Sequence, residues 1–166
     1  MGLKDLLDEW ELEGSGDSSF ALDRRTRLSV TGYVIFLSGA VISWKSKSQR
    51  SVTKSSTKAE YIAVSDMVSE LMFIKQVLEF LLINFKKPIT VKVDNVSAIN
   101  FCNNATIGAR TKHINIKYHY VQEYVENRIV QIRFVRTDEN AADPFTKNIA
   151  GNTYWKHHDK YMVDME

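Results

Sequence analysis

The feature that most limits the fold is a change of hydrophobic period near residue 57. Before it, Tyr33-Val34-Ile35-Phe36-Leu37 and Ala40-Val41-Ile42-Ser43-Trp44 are β-like runs joined by Ser38-Gly39, the pattern of a hairpin. Ahead of them, Trp10-Glu11-Leu12-Glu13 alternates as a half-buried strand does. Beyond the change, Val64, Met67, Val68, Leu71, Ile74, Leu78 and Leu81 recur at helical spacing, which predicts one long amphipathic helix over 57–82. A fourth strand is expected over 89–93, after Pro88, and a fifth over 129–135. Shorter helices are expected over 96–103, 112–126 and 140–148. The order β-β-β-α-β-α-α-β-α predicts an α/β fold: a five-stranded mixed sheet, three antiparallel strands then two parallel, flanked by helices.

A chain of 166 residues holds one such domain. Its single cysteine, Cys102, excludes an internal disulfide and a cysteine zinc site, and fits a reducing, intracellular setting. No apolar run approaches the ~20 residues of a membrane span. The N-terminus is too acidic for a signal or transit peptide. Residues 1–8 are expected to be an extension and 9–150 the domain. Residues 151–166 form a tail, readable as a docked helix or as loose chain.

Charge is segregated. Residues 24–58 carry eight bases (Arg24, Arg25, Arg27, Lys45, Lys47, Arg50, Lys54, Lys58) and no acid. Such a run is either a solvated face or a footprint for a phosphate backbone. Four acids fall at the ends of the expected elements: Asp17 after the first strand, Glu60 in the first turn of the long helix, Asp94 after the fourth strand, and Asp143 opening the last short helix. Strand ends are where ligands gather in α/β sheets. Carboxylates collected there repel one another unless cations sit between them, and oxygen-rich sites suit Mg²⁺. Each acid also has a local structural reading. Thr57-Lys58-Ala59-Glu60 matches a capping box, Asp143-Pro144 an N-cap with proline behind it, Asp94-Asn95 a turn, and Asp17 a loop residue. Glu60, however, continues the inward stripe of Val64, Met67 and Leu71, and a carboxylate on that face needs a partner.

Six segments in order carry a resemblance. They are Gly16-Asp17-Ser18-Ser19-Phe20-Ala21, Asp23 to Tyr33 (DRRTRLSVTGY), Ile42-Ser43-Trp44-Lys45-Ser46-Lys47 with Ser55-Ser56-Thr57-Lys58-Ala59-Glu60-Tyr61, Val93-Asp94-Asn95-Val96-Ser97-Ala98-Ile99, Ala109-Arg110-Thr111-Lys112-His113-Ile114, and Ala142-Asp143-Pro144-Phe145-Thr146-Lys147. Over about residues 10–149 the chain resembles the ribonuclease H domains of copia-type LTR retrotransposons, which follow reverse transcriptase in the Pol polyprotein. The resemblance implies a ribonuclease H-like fold and cleavage of the RNA strand of RNA–DNA hybrids during reverse transcription, leaving 5′-phosphates. It implies an Asp-Glu-Asp-Asp set at Asp17, Glu60, Asp94 and Asp143, holding two Mg²⁺ ions, with Mn²⁺ as a substitute. It places Ser55, Ser56 and Thr57 against the hybrid, where a 2′-OH separates RNA from DNA. Arg24, Arg25, Lys54, Arg110 and Lys112 are the expected phosphate contacts. The implied partners are the hybrid and the reverse transcriptase domain of the same polyprotein, with no membrane. The isolated domain is expected to be a monomer, and its native setting is cytoplasmic, in the virus-like particle.

Two departures from the family pattern matter. Ser19 stands where a second aspartate is common, and the loop Thr137-Asp138-Glu139-Asn140 lacks the histidine of many cellular relatives. His113 is the candidate auxiliary in its place, with a structural helix-start role as the other reading. Among the exposed-face candidates, Trp44, Tyr118 and Tyr120 could stack on bases, but core packing accounts for most such aromatics. The alternative function is a degenerate or domesticated domain that binds nucleic acid or protein without catalysis. Retention of all four acids separates the two readings in favour of the enzyme.

Overall fold

The computed structural model describes residues 10–22, 24–104 and 119–162. Five strands form one sheet in the order β3-β2-β1-β4-β5: β1 Leu12–Ser19, β2 Val30–Leu37, β3 Ala40–Ser48, β4 Ile89–Val93 and β5 Val130–Phe134. β1–β2 and β2–β3 are antiparallel, and β1–β4 and β4–β5 are parallel. The helices are α1 Ser56–Phe80, α2 Val96–Asn103, α3, described over His119–Glu126, and α4 Gly151–Tyr161. The mixed sheet read from the sequence is the sheet observed.

The hairpin closes as Ser38-Gly39 requires, with φ of 48° and 85° at its two loop residues, the left-handed pair that matches strand twist. β2 is buried along both faces. Tyr33 and Ile35 join the main core beneath α1, and Val34 and Phe36 join a smaller cluster with Ala141, Phe145 and Tyr161 on the opposite face. Helix α1 lays Val64, Met67, Val68 and Leu71 on the sheet, all fully buried.

Strand β1 departs from the sequence reading. It is not confined to Trp10–Glu13 but runs to Ser19, so Asp17 lies inside it; Trp10 makes only a single bridge to Phe85. The segment LEGSGDSS has no strand propensity of its own. Packing selects it instead: a Cβ on Gly14 would stand 2.8 Å from Met67 Sδ, and one on Gly16 2.9 Å from Met67 Cε. Small residues let α1 cross the central strand closely.

The expected short helix over 140–148 is also absent. Two single 3₁₀ turns stand there, Thr137–Glu139 and Asp143–Phe145, divided by the fully buried Asn140. Its side-chain oxygen accepts from Ala142 N at 3.0 Å and its amide donates to Gly16 O at 3.0 Å. These bonds replace helix continuation and tie the segment to β1. The tail forms α4, which returns Tyr161 Oη to the carbonyl of Ala141 at 2.5 Å and Lys160 Nζ to that of Glu139 at 2.7 Å.

The Asp143–Phe145 turn sits directly on the backbone of Gly32, where a Cβ would meet Thr146 Cγ2 at 2.5 Å and Phe145 Cβ at 2.9 Å. Gly32→Ala must therefore push the turn away, at a cost of about 1–3 kcal/mol. Gly16→Ala should cost less, because it meets only the mobile end of Met67. Denaturant unfolding of the two variants checks this order; equal losses would contradict the seating of the turn.

Candidate active site

The fold brings the expected acids to one end of the parallel pair β1–β4. Asp17 projects from β1, Asp94 follows β4, and Glu60 lies near the start of α1. One carboxylate oxygen from each of these three lies within 4.8 Å of the others. Asp17 and Glu60 are buried and Asp94 is half-buried.

Glu60 is free to point inward because it is not used as a cap. The N-cap of α1 is Ser55, whose hydroxyl accepts from Lys58 N at 3.2 Å, so the capping-box reading of Thr57 and Glu60 fails. Ser18 holds Glu60 instead, donating its backbone N–H at 3.1 Å and its hydroxyl at 3.0 Å to Oε1. Glu60 Oε2 is buried without a partner. A buried, unpaired carboxylate oxygen is costly, and here it belongs to a member of an acid cluster, the arrangement a hard cation would complete.

Asp143 stands beside this trio and not within it. It is the first residue of its 3₁₀ turn, and its side chain caps nothing. Lys147 Nζ lies 2.6 Å from Asp143 Oδ1 and 3.6 Å from Asp17 Oδ2. Thr146 donates its hydroxyl to Asp17 Oδ2. Ser18, Asn140, Thr146 and Lys147 were not singled out as site residues from the sequence. Thr146 and Lys147 do end the motif that contains Asp143, and the spacing of four puts Lys147 within reach of it.

Burial pushes the Glu60 carboxyl from 4.5 up to about 8, reinforced by the charges of Asp17 and Asp94 against the Ser18 hydrogen bonds. Burial likewise lifts Asp17 from 3.8 to about 6, against the Thr146 bond and the Lys147 charge, with Asp94 and Asp143 adding to the rise. Burial therefore makes ionisation of both groups costlier than in water, more so for Glu60 than for Asp17.

The expected nucleic-acid contacts differ in exposure. Arg24, Arg25, Lys54, Ser55 and Ser56 are exposed, and Thr57 is half-buried. Lys45, Lys47 and Arg50 line a cavity of about 260 Å³ between β3 and α1, with Lys45 paired to Asp66 at 3.6 Å. Arg110, Lys112, His113 and Tyr118 lie outside the described residues. Tyr120 is a packing residue bonded to the Ser65 and Ser69 hydroxyls at 2.8 and 2.6 Å. Trp44 is not: it is 63% exposed, stacked on Phe145 at 5.7 Å.

No protein-family model matches the chain. Among solved structures, a ribonuclease H1 isolated from compost superimposes with a TM-score of 0.61 at 16% identity, over 82% of this chain and 92% of the other. The N-terminal RNase H domain of a Mycobacterium tuberculosis protein does so with 0.60 at 11% identity, over 90% and 96%. The fold is thus that of ribonuclease H. In sequence, the chain is 38% identical over 143 residues to the retrovirus-related Pol polyprotein of transposon TNT 1-94 from Nicotiana tabacum, and 34% identical over 143 residues to that of transposon RE1 from Arabidopsis thaliana. Each match covers 86% of this chain but only 11% and 10% of the relative, so the chain spans about a tenth of those polyproteins. A sequence matching a stretch of plant-transposon Pol polyproteins, on a ribonuclease H fold, is consistent with a ribonuclease H domain of a copia-type Pol.

The raised carboxyls set a pH dependence. An acid whose folded pKa is raised contributes stability that is complete below its unfolded value and is lost as pH rises through the folded one. For Glu60 that window runs from 4.5 to about 8. In EDTA the melting temperature should fall across this range in the wild type and fall less in Glu60→Gln. Mg²⁺ should restore the wild type more at pH 8 than at pH 5, because it favours the ionised site. The same pH slope in both proteins would remove Glu60 as the cause.

Proposed function

We propose that this domain hydrolyses the RNA strand of RNA–DNA hybrids, as the nuclease part of a retrotransposon Pol protein during reverse transcription. The observation that carries the reading is the converging trio of buried Asp17 and Glu60 with half-buried Asp94, in which Glu60 Oε2 has no partner, on a ribonuclease H fold. A related ribonuclease H1 solved with an RNA/DNA hybrid shares this fold, with a TM-score of 0.54 at 13% identity.

The trio, joined by Asp143, would hold two divalent cations, Mg²⁺ or Mn²⁺, which when bound supply an activated water and stabilise the departing 3′ oxygen. The chain's own residues set up that chemistry. Ser18 fixes one oxygen of Glu60 and leaves the other for a cation. Thr146 orients Asp17 from the turn seated on Gly32. Ser56 and Thr57, beside Glu60 at the start of α1, reach the sugar 2′-OH of the RNA strand. Arg24, Arg25 and Lys54, with Lys47 and Arg50 along their groove, hold backbone phosphates without reading bases. The reverse transcriptase domain of the same polyprotein is the natural neighbour, and the virus-like particle the natural setting.

Purified protein with Mg²⁺ should cleave a labelled RNA–DNA hybrid and spare duplex DNA. Asp94→Asn keeps the shape of a ligand while removing its charge, so cleavage should fall by orders of magnitude with the melting curve little changed. Full activity in that variant would overturn the assignment. Hybrid binding in Ca²⁺ tests the basic surface separately. Each lost phosphate contact should lower the salt slope by about one, so Arg24→Ala/Arg25→Ala and Lys54→Ala should flatten it while Ser56→Ala leaves it unchanged. Unaltered slopes in the basic variants would make the run a solvated face.

A further inference from the structure

Among the described residues, the ion pairs made by Asp17 and Asp143 both go to one ammonium, that of Lys147. It lies 2.6 Å from Asp143 Oδ1 and 3.6 Å from Asp17 Oδ2, with its side chain 36% exposed. Asp143 meanwhile stands outside the trio whose oxygens converge within 4.8 Å. Asp17 Oδ2, the oxygen nearest Lys147, also accepts the Thr146 hydroxyl. The gap between Asp17 and Asp143 is thus spanned by a cation that the chain itself supplies.

We infer that Lys147 is the resident counterion of this site, a positioning residue whose ammonium and a divalent ion exclude each other between Asp17 and Asp143. This rests on the nuclease reading above. Charge accounts for the exclusion. An ammonium and a divalent ion bridging the same two carboxylates would stand within a few ångströms of one another, where cations repel strongly in a partly buried setting. The long, half-exposed lysine stem can swing toward solvent or a substrate phosphate when an ion enters. Lys147 keeps the cation-free carboxylates together at the expense of affinity for the ion that replaces it. Reciprocity is required: whatever the ion loses in affinity through Lys147, Lys147 loses in its hold on the carboxylates through the ion.

The test compares wild type, Lys147→Met and Lys147→Arg by calorimetric titration with Mg²⁺ and with Mn²⁺, alongside melting curves in EDTA and in saturating Mg²⁺. Lys147→Met should bind the ions about ten-fold more tightly, a coupling of ordinary size for two mutually exclusive ligands. Lys147→Arg, which keeps the charge, should stay near wild type. Lys147→Met should melt lower than wild type in EDTA, and the deficit should vanish in saturating Mg²⁺. If Lys147 merely anchors the turn, the deficit persists in both conditions and affinity does not rise, which overturns the inference. A wild type that cleaves hybrid while Lys147→Met shows unchanged affinity would overturn this inference and leave the nuclease reading standing. A wild type that neither binds the ions nor cleaves would overturn both.

Discussion

Three carboxylates held close together and largely away from water are an unfavourable arrangement, and much of this molecule serves to maintain it. Like charges at such separations, with little solvent to screen them, would drive the strands apart or force protonation. The chain supplies specific compensation. Two donors from Ser18 reach Glu60, a hydroxyl from Thr146 reaches Asp17, and the ammonium of Lys147 sits between Asp17 and Asp143. One oxygen, Glu60 Oε2, receives nothing. A carboxylate oxygen buried without a donor, in a cluster of acids, is the electrostatic form of a site made to be completed from outside.

The scaffold for this arrangement is β1, the central strand, flanked by β2 and β4. It carries Asp17, and it accepts both the crossing of α1 and the clamp from Asn140. Its glycines and serines serve these approaches. A strand of branched residues would hold the sheet better on its own and would keep the helix, and Glu60 with it, farther from the acids. Weak local propensity in β1 is thus offset by pairing on both sides and by the Met67 and Leu71 side chains above it.

The parts of the fold legible in the sequence were those governed by periodicity. The hairpin, the long helix, and strands β4 and β5 follow from spacing alone, since burial on one or two faces writes itself into residue order. β1 did not follow, because Gly14 and Gly16 are dictated by close approach of α1, which no local pattern records. The sequence over 140–148 reads as one helix, whereas turns form around Asn140 and Asp143, because Asn140 is tied to Gly16, far away in sequence. The three converging acids were legible only through the resemblance: each also fitted a cap or a turn. The structure assigns those caps elsewhere, to Ser55 for α1 and Asn95 for α2, and so frees Glu60 and Asp94. Thr146 and Lys147 were visible as letters of a motif, but their contact with Asp17 is a property of the closed chain.

That closure has a consequence for the order of events as the polypeptide folds. The last strand of the sheet, β5, ends at Phe134. Asn140 reaches Gly16 across 124 residues, and Thr146 reaches Asp17 across 129. Contacts of such long range carry the largest loop-closure penalty and tend to form last. The five strands can thus pair before the final turn is seated on Gly32. The sheet can exist without this segment, and the last part to dock is the one that brings Thr146 and Lys147 to Asp17.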